Sequence, residues 1–231
     1  MNKIISVFLF LFCIQIVSLR AQLYTENSGE LIFAFSDVEY ETQIVPTKMR
    51  FSIFFHIGQN HHYDFNNNFG FFTGYGIRNI GFITDKNNIE TRRRTYSLGV
   101  PLAFKIGSFK DHLFLYAGGE YELFFHYKQK QFIDGTKKKQ SEWFSNRTKR
   151  FVPSIFAGIQ FPGGINLKFK YYLENFLNSS FIGHDFGVPV DYSDFNKTQV
   201  YYISLSFNFR NEYLKNINNP QPQRTTKYAG L

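Results

Sequence analysis

The chain has 231 residues, a formal net charge of +8 and a single cysteine. One cysteine excludes a disulfide-stapled secreted fold, and the length suits one domain. Thirty Phe and 15 Tyr make a heavy aromatic load, yet beyond the N-terminus no stretch approaches 18 consecutive apolar residues, which excludes membrane-spanning helices.

In chain order, Met1, Asn2 and Lys3 form a short basic start, and residues 4–19 are apolar apart from Ser6, Gln15 and Ser18. Ala21 follows as a small residue at a cleavage point. The layout predicts a signal peptide over residues 1–21; the run is shorter than the roughly 20 residues of a spanning anchor. Its removal takes Cys13 with it and lowers the charge by two, since Lys3 and Arg20 leave with no acidic residue. An exported basic chain points to an anionic membrane surface and away from nucleic acid.

Thereafter the apolar residues recur with a period of two, the signature of strands with one greasy face. Eight strands are predicted. Their outward residues run from Leu31 to Phe35, Met49 to Ile57, Phe69 to Ile77, Tyr96 to Ile106, Leu113 to Phe125, Phe151 to Phe161, Ile165 to Leu173, and Tyr201 to Phe209. The first is short, and the third slips phase near Asn79. The predicted links at one end are 36–48, 84–91, 129–149 and 176–199. At the other end they are 59–68, 108–111 and Pro162–Gly164. Long loops outside and short turns in the periplasm are the pattern of bacterial barrels, although 59–68 is longer than that pattern wants. Residues 22–210 thus read as the barrel and 211–231, polar and with two prolines, as a periplasmic tail.

Alternation alone does not say which face is inside. The second face carries Gly70, Gly74, Gly76, Gly99, Gly118 and Gly158 together with charges, while large aromatics fill the first. A soluble barrel would need the bulky apolar residues within. The expected fold is therefore all-β, an eight-stranded antiparallel up-and-down transmembrane β-barrel.

The signal ending Arg20-Ala21-Gln22, the strand Tyr96-Ser97-Leu98-Gly99-Val100-Pro101-Leu102, the segment Ala117-Gly118-Gly119-Glu120-Tyr121 and the closing Tyr202-Ile203-Ser204-Leu205-Ser206-Phe207 carry a resemblance. The mature chain resembles the outer-membrane β-barrels of the OmpA/OmpX-like superfamily in their Bacteroidetes form, with the PorT-like barrels a more distant likeness. The resemblance implies an outer-membrane location and an architecture. It does not transfer a role.

Inward charges form the first candidate site: Arg50, Arg78, Arg93, Lys105, Lys128, Lys168 and Lys170 with Glu120, Glu122, His126 and Glu174. In a lumen that small they are expected to pair and plug it. Glu120, Glu122 and His126 share one face, which raises the rival reading of a membrane-embedded lipid hydrolase with Ser52, Ser97 or Ser154 as nucleophile. Nothing places a serine beside His126, and no catalytic role is expected. His56, His61, His62 and Asp64 lie around link 59–68 without the fixed spacing of a metal site; a solvated turn, with no metal or cofactor, is expected there.

The second candidate site is the basic outer loop. Lys128, Lys130, Lys137, Lys138, Lys139, Arg147, Lys149 and Arg150 outnumber Asp134 and Glu142, with Trp143 and Phe144 between them. Such a loop suits the phosphates of lipopolysaccharide or an envelope protein partner. The expected function is a monomeric structural or interaction barrel, the alternative a channel or secretion-accessory barrel.

Overall fold

A computed structural model describes residues 22–86, 89–133 and 135–210. The predicted signal peptide and tail lie outside the described residues. The strands are β1 (Gln22–Tyr40), β2 (Gln43–Ile44), β3 (Thr47–Lys48), β4 (Arg50–Ser52), β5 (Ile57–Asp64), β6 (Phe69–Lys86) and β7 (Ile89–Ser108). They continue as β8 (Leu113–Ile133), β9 (Thr136–Trp143), β10 (Phe151–Gln160), β11 (Ile165–Tyr172), β12 (Ile182–Asp185), β13 (Val188–Asp191) and β14 (Phe195–Arg210).

The main sheet closes on itself. β4 and β5 are two halves of one strand, and each pairs antiparallel with β1. From there the ring runs β5, β6, β7, β8, β10, β11 and β14, and β14 returns to β1, every pair antiparallel. Eight staves in sequence order make an up-and-down barrel with no free edge, as a strand structure in hydrocarbon requires. Its outer wall is apolar: Val100, Leu102, Phe104 and Ile106 on β7 are each more than half exposed, and Leu115, Ile155, Leu167 and Ile203 continue the surface around the ring. Apolar surface on this scale belongs in lipid.

The turn end of the barrel holds the tight connections at 65–68, 109–112 and Pro162–Gly164. At the last, Gly163 and Gly164 adopt φ of 80° and 83°, and a side chain at Gly164 would run into the Asn208 carbonyl. The loop end is taller. β6, β7 and β8 have 18, 20 and 21 residues, about twice the 9–11 that cross a bilayer, so their upper halves stand clear of it. β9 pairs with the top of β8 as a ribbon.

Several expected boundaries shift. β1 is 19 residues long, not a short strand. Residues 59–64 belong to β5 and leave only 65–68 as the turn; both faces of β5 are polar near the membrane boundary, so no period shows. β6 does not slip at Asn79. It keeps its phase to Lys86, turning Ile80 and Phe82 inward, where they join an apolar cluster with Ile32, Phe124, Tyr127 and Tyr172. The expected links 84–91 and 129–149 are largely strand, in the β6–β7 hairpin and the β8–β9 ribbon.

The wall has one seam. Between β4 and β5 the residues 53–56 leave the ladder, Phe54 stands 74% exposed, and Phe55 takes φ of 64°. Side chains replace the missing backbone bonds to β6. Arg50 donates to the Asn79 carbonyl at 2.9 Å and to its Oδ1 at 2.8 Å, and the Asn79 amide donates to His56 Nδ1 at 3.2 Å.

Candidate functional site

At mid-barrel the alternation of β1, β6, β8 and β11 brings three carboxylates and three cations together, all buried. Lys168 meets Glu30 at 2.5 Å, and Arg78 lies 3.4 Å from Glu30 and also pairs with Glu120. Lys170 lies 2.7 Å from Glu120 and also pairs with Glu122. Ser97 and Tyr172 donate to Glu122 at 2.5 and 2.8 Å. Buried charges left unpaired cost several kcal/mol each, about 3–5 when one partner is lost, so the layer is balanced charge for charge. A cavity of about 40 Å³ remains beside it, room for two or three waters at about 10–15 Å³ each. A side chain at Gly99 would strike Glu120, which is why the inner face there is bare.

Lys105 belongs to a separate cluster nearer the turn end. It pairs with Asp64 at 2.5 Å and donates to the Tyr24 hydroxyl at 2.8 Å and to His62 Nδ1 at 3.0 Å. His62 stacks on Tyr24 with ring centroids 4.6 Å apart. His56 and His62 are thus buried inside the barrel, a correction to the solvated turn expected for them. Arg50 lies in the seam, and Arg93 sits at the loop-end mouth, its guanidinium over the rings of Phe82 and Phe195.

Three residues expected in the lumen, His126, Lys128 and Glu174, are elsewhere. Tyr96 faces His126 but Ser97 faces Phe124, so Phe125 is an extra residue in β8. Beyond this bulge the phase reverses: Tyr127 and Gln129 point in, and His126 points out. His126 stacks on Trp143 at 4.2 Å and on Tyr96 at 5.7 Å, so the wall separates it from Glu120 and Glu122 and the imagined acid–histidine site is not assembled. Glu174 lies at the half-exposed rim beside β11, paired with Lys149. Sequence reasoning missed Glu26, Glu30 and Asp64 as interior acids. Had β1 been extended toward its start, the even-numbered Glu26 and Glu30 would have fallen on the inward face.

The bulge also sorts the basic residues. Above Tyr96, Phe125, His126 and Trp143, which form an aromatic belt of the kind that marks a membrane interface, the outward face of β7, β8 and β9 carries Arg92, Arg94, Lys128, Lys130, Lys137 and Lys139. Arg94 pairs across the ladder with Lys128, Arg92 with Lys130, and Lys130 with Lys139. Like charges directly opposite one another destabilise a sheet. Burial and then the nearby charges of Arg94, Lys137, Lys139 and Arg92 hold Lys130 below the usual lysine range. Among the described residues, the carboxylate that reaches this face is Glu90, taken by Arg92 at 2.7 Å and Lys48 at 3.0 Å.

The other expected loop cations behave differently. Lys138 alternates onto the opposite side of the ribbon and is exposed, as is Arg150. Arg147 is buried: it pairs with Asp185 at 2.8 Å and with Glu142, and donates to the His184 carbonyl. It thereby ties the β12–β13 hairpin over the barrel mouth, where Phe176, Leu177 and Tyr192 cap the apolar cluster. Arg92 and Arg94 take the place of Arg147 and Lys138 on the basic face; they escaped notice because 84–91 read as a link that ended just before them.

A closed ring of eight antiparallel staves, greasy outside and ionic within, is a transmembrane β-barrel. No family model and no curated protein matches the chain. Among solved structures the chain is similar to the attachment invasion locus protein Ail of Yersinia pestis, in complex with the heparin analogue sucrose octasulfate, at 17% identity over 80% of this chain and 99% of that one, with a TM-score of 0.37. It is also similar to Neisserial surface protein A (11% identity, 82% and 97% covered, TM-score 0.39). A third is the outer membrane protein OprG of Pseudomonas aeruginosa (13% identity, 82% and 97% covered, TM-score 0.36).

Proposed function

We propose that the chain is exported by its signal peptide to the outer membrane and acts there as a monomeric, non-catalytic interaction barrel that binds the phosphates of lipopolysaccharide. The observation that carries this reading is the outward basic face. Arg94, Lys128, Lys130, Lys137 and Lys139 have no carboxylate partner among the described residues, and they stand just above the aromatic belt, level with the headgroups of surrounding lipid. Charge-assisted contacts to phosphate oxygens would relieve a repulsion that the fold alone leaves in place. The test is binding of lipopolysaccharide to the refolded barrel before and after enzymatic removal of its phosphates. Binding should fall on dephosphorylation and weaken with salt; equal binding of both forms would end this reading.

The interior supports a barrel that does not conduct. The paired charges at mid-barrel and the apolar cluster beneath the β12–β13 hairpin lie across the lumen and favour a plugged interior. In planar bilayers the protein should give no reproducible current steps, whereas steps would favour the channel alternative.

A further inference from the structure

The mouth of the barrel holds a second pocket that the basic face does not touch. It has a volume of about 470 Å³ and lies between the β6–β7 hairpin and the β12–β13 hairpin. Its walls mix apolar residues, Val45, Ile89, Pro189, Val190 and Phe195, with polar and charged ones. The size is that of small-molecule sites, which are mostly apolar with a few fixed polar groups.

The charges in the wall are not equivalent. Each of its three carboxylates is already engaged. Asp185 accepts from Arg147 and Tyr192, each at 2.8 Å, Asp191 accepts from the Ser193 amide at 2.8 Å, and Asp194 accepts from the Tyr40 hydroxyl at 3.3 Å. Lys86 lies over the Tyr40 ring at 3.9 Å. Arg93 differs. Its Nη1 donates to Thr84 Oγ1 at 3.3 Å, its Nε is buried with no partner, and no carboxylate pairs with it among the described residues. Its guanidinium carbon lies over the Phe195 ring at 5.4 Å and over the Phe82 ring at 5.9 Å. A guanidinium that lacks a carboxylate partner is matched by one from a ligand.

We infer that this pocket binds a small organic monocarboxylate, its carboxylate on Arg93 and its apolar body against Val190, Ile89 and Phe195. This inference does not depend on the lipopolysaccharide reading. The probe is 4-phenylbutyrate, with the neutral 4-phenylbutyramide as its shape match, added to the full barrel in lipid nanodiscs and followed by amide chemical shifts. The acid should perturb Thr91, Arg93, Val190 and Phe195 and bind at least about tenfold more tightly than the amide. Arg93→Gln should abolish that difference while Pro189→Trp, which fills the exposed entrance, abolishes binding of both. Heat-modifiability on a gel checks that each variant keeps its barrel. Equal binding of acid and amide by the native protein, or shifts confined to the lipid-facing wall, would overturn the assignment.

Discussion

Lys170→Met is expected to destabilise the barrel by about 3–5 kcal/mol, the usual consequence of removing one partner from a buried ionic group. The ammonium of Lys170 is fully buried between Glu120 and Glu122. Without it Glu120 keeps Arg78, while Glu122 keeps only the neutral donors Ser97 and Tyr172. Methionine preserves most of the volume, so the loss reports charge and not a cavity. Adding Glu122→Gln to Lys170→Met should restore most of the stability, because the stranded charge is then gone. Urea unfolding of the refolded protein in lipid vesicles measures both. A single variant as stable as the parent would mean that water or lipid headgroups, not Lys170, neutralise the acids.

The second large effect has opposite signs in two measurements. Arg94→Gln, Lys128→Gln, Lys130→Gln and Lys139→Gln combined should weaken lipopolysaccharide binding while strengthening the fold. Four surface ionic contacts at about 0.5–1 kcal/mol each amount to about 2–4 kcal/mol, a loss of roughly 30-fold or more at low salt. Removing the cross-strand repulsions among these residues should raise stability by about 1 kcal/mol. Lys138→Gln, on the other side of the ribbon, is the control and should leave binding within about twofold. A combined variant that binds as the parent does would detach the basic face from lipid.

The sequence made most of the membrane-spanning wall legible. β7 alternates large apolar residues with small or polar ones without interruption from Tyr96 to Ile106, and its turn into β8 sits where Ser108 and Asp111 suggest. The rest was hidden for identifiable reasons. Period-two reasoning needs a contrast between faces, and β5 offers polar residues on both. It also assumes an unbroken strand: Phe124 and Phe125 are both aromatic, so nothing in the letters marks the bulge that sends His126 outward. Two of the interior carboxylates, Glu26 and Glu30, lie on β1, and a strand read as short cannot present them. Long-range pairing was not legible at all. That Lys168 meets Glu30, distant in sequence, follows only from the closure of β14 onto β1.

The seam at residues 53–56 makes one part of the wall heritable in a different way from the rest. Elsewhere the staves are joined by peptide groups, which every amino acid carries, so substitutions leave the joints alone. Beside Asn79 the joints are the guanidinium of Arg50 and the imidazole of His56, and two codons decide whether the staves stay joined between the backbone ladders on either side. Drift can therefore loosen or tighten the barrel at this point without remodelling its backbone.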